Sequence, residues 1–258
     1  MLFSVVTPVL NGMEYLAGCI ESVKAQEAEG IEVEHIVVDG GSIDGSAEFA
    51  RAHGCMVMGR EEPGVTYAIN KGVSHSRGEL VSMLGCDDRL MPGGLQQVAQ
   101  AYRRDQRPWV ITACRWLSAN GDSLGSQPAA PRWITADMLA CLGWNCIPHV
   151  ALFIRPDLHR KLGNLDERFS YAPDYEMACR LLARGYPFSR VPQSVVAMLR
   201  HGDNMSMQRR PDHLAELDEI CRRYGSHSKL TRGLQRYALK IFLNSANPSW
   251  FLHKRRSN

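Results

Sequence analysis

Residues 81–92 read VSMLGCDDRLMP: an apolar run ends in two adjacent carboxylates, Asp87 and Asp88, followed by a turn. Neighbouring carboxylates repel, and both ionise comfortably only beside a cation. Hard oxygen ligands suit Mg²⁺ or Mn²⁺, and an ion held by one or two carboxylates usually completes its shell with water and substrate phosphates. The same residues also fit a turn and helix cap, because CDDRLMPGG precedes a helical pattern. Polar residues close two other apolar runs: Thr7, Pro8 and Asn11 the first, and Asp39, Gly40, Gly41, Ser42 and Asp44 the second. An Asp39 carboxylate at a strand end could accept hydrogen bonds from a base or ribose. VVDGGSIDGS equally fits a βα turn in which Asp44 or Ser42 caps the next helix. It is neither the G-x-G-x-x-G dinucleotide fingerprint nor a Walker A loop.

Such groups act together only if the chain brings them to one place. FSVVTPV, VEHIVVDGG, CMVMGR, ELVSMLGCDD and WVITACRWL read as strands from their continuous apolar, β-branched character. Helical patterns alternate with them. In NGMEYLAGCIESVKAQ, Leu16, Cys19, Ile20 and Val23 share a face, with Asn11 as cap and Glu14 at the capping-box position. Successive β-then-α units predict a parallel sheet with right-handed crossovers, covered on both faces. In an open α/β sheet ligands bind beyond the carboxyl ends of the strands, so the three polar clusters are expected on one rim. After about residue 116 the pattern changes. SANGDSLGSQPAAPRW is turn-rich, HVALFIR and SVVAMLRHG read as strands, and PDLHRKLG and PDYEMACRLLARG start at Pro-Asp and stop at Gly.

The 258 residues are 45% hydrophobic and 22% charged, an ordinary globular composition. Eight scattered cysteines form no C-x-x-C pair, which favours reduced, buried thiols over zinc or disulfides. No run approaches the roughly 20 apolar residues that span a bilayer, and MLFSVVTPVLNG lacks the basic start of a signal peptide. The expected location is the cytoplasm. The net charge of +3 is uneven: residues 222–258 hold nine Lys and Arg and no acid, so this segment carries +9 and the rest −6. A solvated helix and a frayed end explain that; so does an anionic partner. The face formed by Leu234, Tyr237, Ala238 and Ile241, with cations beside it, fits peripheral contact of residues 226–258 with an anionic membrane on its inner face. Helix packing on this chain or on a second subunit is the rival, and no nucleic-acid partner is expected.

VVTPVLNGMEYLAGCIESVKAQ, EHIVVDGGSIDGS and AINKGVSHSRGELVSMLGCDDRL, in that order and spacing, resemble the N-terminal half of a family 2 glycosyltransferase with the GT-A fold. HVALFIRPDLHRKLGNLDERF and APDYEMACRLLARG resemble its acceptor side more weakly. The resemblance implies an α/β fold with a mostly parallel sheet flanked by helices. Residues 1–205 would form the GT-A domain, 1–116 its nucleotide-binding half and 117–205 its acceptor-binding half, with 206–258 a basic helical extension. It implies that Thr7, Pro8, Asn11, Asp39, Asn70 and Asp87 contact the nucleotide. It further implies that Asp88 and His201 sit at a Mg²⁺ or Mn²⁺ ion and that Asp174 is the general base. The implied reaction moves a sugar, with inversion, from a nucleotide-diphosphate donor to a glycan or lipid-linked acceptor in surface polysaccharide assembly.

Some positions depart from the family pattern. Gly85 and Cys86 replace the Asn or Asp and the Ser or Ala usual before the acid pair, and Pro173 replaces an acid before Asp174. Tyr67 and Ile69 stand where some relatives have Asp and Met. Each site residue also has a structural reading. Asp174 is favoured at a helix start by the helix dipole, and Glu176 could stand beside it. His201 could be a satisfied loop histidine. Lys71 and Arg77 could balance phosphate or be exposed cations, and His149 could line the acceptor cleft or pack. Two other functions compete: a sugar-nucleotide-forming nucleotidyltransferase, which would normally carry a Gly-rich basic loop absent from TPVLNGMEY, and a non-catalytic nucleotide-sugar-binding scaffold.

Overall fold

The computed structural model describes residues 1–142, 146–201 and 211–225, together with 233–234, 237–238 and 241–242. In chain order the elements are β1 (Leu2–Val9), α1 (Met13–Lys24), β2 (Glu32–Asp39), α2 (Ser46–Ala52), β3 (Met56–Gly59), α3 (Val65–Ser74), β4 (Leu80–Met83), β5 (Arg89–Leu90) and α4 (Gly94–Asp105). Then follow β6 (Trp109–Ser118), β7 (Ser123–Gln127), α5 (Ala136–Ala140), a 3₁₀ turn (His149–Ala151), β8 (Leu152–Ile154), α6 (Pro156–Lys161), α7 (Pro173–Ala183), β9 (Phe188–Arg200) and α8 (Pro211–Tyr224). One sheet runs β3-β2-β1-β4-β8-β6-β9-β5, with β7 paired to β6.

The first four strands are parallel, as the βα repeat predicts. Beyond β4 the sheet is mixed: β8 lies antiparallel between β4 and β6, while β6 and β9 run parallel. Two reversals restore direction, so β9 ends on the same rim as β1, β2 and β4, and the reversed β8 begins there. The turn-rich SANGDSLGSQP segment contains β7, and the two residues of β5 pair with β9. Both were hidden in the sequence, being short and flanked by turn residues.

Side-chain alternation along the strands supplies both faces. Val6, Ile36, Val38 and Trp109 face α3, α5, α6 and α7, while Phe3, Val5, Leu80 and Val110 face α1 and α4. All eight cysteines are free thiols, six of them buried. The segment expected to be an extension begins inside this body: Ile220 of α8 is fully buried in the core that α5 and α7 share. No helix among the described residues is long and apolar enough to cross a membrane. The basic segment 226–258 lies outside the described residues except for three pairs. Of these, the Phe242 ring meets Trp133 edge-on at 5.7 Å.

Candidate active site

Three loops leave the carboxyl ends of β1, β2 and β4 side by side. The first two are stitched together. The Asn11 amide N–H donates to Ser42 Oγ at 2.9 Å, Asn11 Oδ1 accepts from the Ile43 N–H at 2.9 Å, and Asp44 Oδ2 accepts from the Met13 N–H at 2.9 Å. Asn11 therefore does not cap α1; Gly12 occupies the cap position and the carboxylate comes from the neighbouring loop. Asn11 instead adopts φ 50°, a left-handed conformation that Asn tolerates better than most residues. Asp39 closes its own loop by accepting from the Gly41 and Ser42 N–H groups at 3.0 and 3.1 Å.

The Asp87–Asp88 pair sits in the turn after β4. Its two carboxylates bend back over Gly85: a Cβ there would stand 2.6 Å from Asp87 Oδ1 and 2.8 Å from Asp88 Oδ2. The departure at position 85 thus leaves room for the acids. Asp88 is buried, and its Oδ1 accepts the Leu199 N–H at 3.2 Å. Burial, and next the charge of Asp87, raise its pKa well above the usual carboxylate range. Asp87 Oδ2 lies 2.8 Å from His201 Nε2, and the His201 ring stacks on Tyr15 with centroids 4.7 Å apart.

The antiparallel insertion of β8 brings the second half to this rim. His149, just before β8, donates its backbone N–H to Asp174 Oδ2 at 2.9 Å, and its Nδ1 lies 3.5 Å from the same oxygen. Asp174 Oδ1 accepts the Tyr175 N–H at 2.9 Å. Burial favours neutral His149, yet the carboxylates of Asp174, Asp88 and Asp87 outweigh it and raise the imidazole pKa. His149 therefore stands in the field of both acid clusters, between the two halves of the chain.

The structure brings Asn11, Asp39, Asp87, Asp88, Asp174 and His201 to one rim, with Pro8 half-buried on β1 just below it. Two candidates point elsewhere. The Thr7 side chain is fully buried and meets His35 Nε2 at 2.9 Å, so it braces the sheet beneath the mouth. The Asn70 amide is taken on both faces: its Nδ2 donates to Leu165 O at 2.9 Å and to Glu167 Oε1 at 3.1 Å, and its Oδ1 accepts the Leu165 N–H at 3.0 Å. It ties α3 to the segment leading to α7. Arg77 pairs with Glu34, whose strand position opposite Ser4 lies at the other end of the sheet. Lys71 donates to Gly59 O and Glu61. The buried Glu176 carboxylate pairs with Arg180 and Tyr224 rather than standing alone beside Asp174.

Two converging oxygens over a glycine, one on a buried carboxylate with a raised pKa, fit a hard divalent cation. Among the described residues no three His, Cys, Asp or Glu side chains converge as a complete ligand set. The protein would therefore supply Asp87 and Asp88 and leave the other positions to water and phosphate oxygens. His201 bonds Asp87, which suits a partner that orients a ligand.

Residues 4–160 match the model of glycosyl transferase family 2, and the chain belongs to that family. An uncharacterized glycosyltransferase of Mycobacterium tuberculosis H37Rv is 31% identical over 194 residues, 69% of this chain and 67% of that one. A Rickettsia typhi uncharacterized glycosyltransferase is 28% identical over 188 residues; the match spans 70% of this chain but only 58% of the relative. A Mycobacterium bovis PGL/p-HBAD biosynthesis glycosyltransferase is 26% identical over 203 residues, 76% of this chain and 75% of the relative. Among solved structures, S. aureus TarS 1–349 in complex with UDP superposes with TM-score 0.66 at 18% identity, over 95% of this chain and 72% of that one. The same protein in complex with UDP-GlcNAc gives 0.64 at 19% identity, over 92% and 70%. At that identity the likeness shows the fold, which is GT-A.

Proposed function

We propose that this chain transfers a sugar from a nucleoside-diphosphate donor to an acceptor hydroxyl, with inversion at the anomeric carbon, in building a surface glycan or glycolipid. The observation that carries the reading is the facing of two acid clusters across one mouth: Asp87 and Asp88 over Gly85, and Asp174 beside His149. The TarS complexes with UDP and UDP-GlcNAc support a nucleotide-sugar donor, and the PGL relative supports a lipid-linked or glycan acceptor.

Asp39, Asn11 and the stitched loops would shape the nucleotide end. Asp87 and Asp88 would hold Mg²⁺ or Mn²⁺, which when bound supplies positive charge against the departing diphosphate. Asp174 would take the acceptor proton as the oxygen attacks, a role that typically contributes about 10²–10⁴-fold. His149, by fixing Asp174 Oδ2, would keep that carboxylate aimed. We place the work on the cytoplasmic side of a membrane, with the basic segment 226–258 touching anionic lipid.

The test is a thermal-shift panel of nucleotide sugars with and without Mn²⁺. A donor at 100 times its Kd adds about 2.7 kcal/mol of stability. Asp88→Asn is expected to remove the Mn²⁺-dependent part of the shift. Asp174→Asn is expected to keep the shift and lose transfer by at least about 100-fold. A protein that responds to no donor would defeat the proposal, as would an Asp174→Asn variant that transfers normally.

A further inference from the structure

The N-terminus of α7, which carries Asp174, lacks a side-chain cap from its own neighbours: Ala172 holds the cap position and Pro173 follows. The turn leading into it is held from elsewhere in the chain. Glu216, on α8, accepts the backbone N–H groups of Ser170, Tyr171 and Ala172 at 2.7, 2.9 and 2.8 Å. One carboxylate thus gathers three consecutive amides two to four residues before Asp174. Charge-assisted bonds of this kind are roughly twice as strong as neutral ones.

Other side chains of α8 land on the same stretch. His213 stacks on Tyr171 with centroids 5.8 Å apart. The Arg223 guanidinium lies 5.5 Å above the Phe169 ring and 3.5 Å from both Asp166 and Glu176. The Tyr224 hydroxyl donates to Glu176 at 2.5 Å, and Ile220 is buried behind them. Every one of these polar and ring contacts falls between residues 166 and 176. None reaches the nucleotide loops at 10–13, 39–46 or 85–88.

We propose that Glu216 is a positioning residue for Asp174: α8 is a strap that fixes the 170–172 turn and so sets where the carboxylate stands. A 1 Å misplacement of a reacting group can cost about 10²-fold in rate. The inference rests on the role given to Asp174 above, but the clamp itself can be read without any reaction.

Two measurements on the full chain decide it. Hydrogen exchange of the 170–172 amides is compared among wild type, Glu216→Ala, Glu216→Gln and Arg222→Ala, the last removing an exposed cation of α8 paired with Glu219. Steady-state transfer is measured on the same set with the panel donor giving the largest shift, and donor affinity alongside. The expected result is at least a tenfold rise in exchange at 170–172 in Glu216→Ala, with Glu216→Gln between it and wild type because a carboxamide keeps one acceptor oxygen. kcat falls about 10–100-fold while donor Kd stays within twofold, and Arg222→Ala behaves as wild type. Unchanged exchange overturns the clamp, whatever the activity. Raised exchange with unchanged kcat overturns the positioning role. A parallel loss of kcat and donor affinity would mean general loosening and also overturns it. A wild type that transfers nothing sinks the proposed function and leaves the exchange data to judge the clamp alone.

Discussion

Gly85 has no side chain, and that absence is what the two acids need. A Cβ would stand within 2.8 Å of an oxygen of each carboxylate. Gly85→Ala is therefore expected to push Asp87 and Asp88 apart and weaken Mn²⁺-dependent donor binding at least tenfold, read by the same thermal-shift titration. A variant that binds Mn²⁺ and donor normally would mean the oxygens do not act at that spot. Asn11 offers a finer test, since it combines φ 50° with a side-chain bond to the Ile43 N–H. Asn11→Gly keeps the backbone conformation and loses the bond; Asn11→Ala loses both. Asn11→Ala should be the less stable of the two by about 1 kcal/mol, measured by urea unfolding, with donor KM raised in both. Equal stability would show that the turn carries no conformational cost. His149 was visible in HVALFIR as a histidine before an apolar strand. Its relation to Asp174 depends on β8 running backwards, which no local pattern announces.

Elements carry the next layer. α3 crosses β1 so closely that a Cβ at Gly72 would run into Val6. Gly72→Ala should thus cost about 1–3 kcal/mol through overpacking, despite the better helix propensity of Ala. A chemical-denaturation midpoint at or above wild type would contradict this contact. The strand–helix alternation from β1 to α4 was legible because buried parallel strands leave continuous apolar runs and helices leave a 3.6-residue period. β5 and β7 left neither mark: the first has two residues, and the second is half-exposed with buried Gln127 at its end. Residues 206–258 read as an appendage because the charge from residue 222 onward is so one-sided. Yet α8, at its start, buries Ile220 and extends Glu216 to the wall that bears Asp174. Charge composition marks a boundary in sequence, while packing ignores it.

The whole molecule sets the pH response. His159 is buried and His35 half-buried, and desolvation lowers both pKa values to about 4. Asp88 goes the other way, raised to about 7 by burial and then by Asp87. Between roughly pH 4.5 and 6.5 the unfolded chain protonates both histidines and ionises Asp88. Unfolding therefore takes up about two protons and releases about one, so stability should rise with pH by up to about 1.4 kcal/mol per unit. His149, whose pKa is raised, acts in the opposite sense to His35 and His159. In Asp88→Asn the opposing group is gone, and the slope should steepen to about 2.7 kcal/mol per unit. Denaturant titrations from pH 4.5 to 6.5 in a metal chelator measure this, and equal slopes in the two proteins would refute the burial of Asp88. The sequence by itself determined the alternation of strands and helices, the polar clusters at three strand ends and the family they spell, since those signals are local in the chain. The tertiary structure alone decided that Thr7 and Asn70 turn inward, that His149 meets Asp174, and that Glu216 holds the turn leading into α7. Those are contacts between residues tens of positions apart, fixed by strand order and reversal, and a one-dimensional pattern holds no record of which distant segments will share a rim.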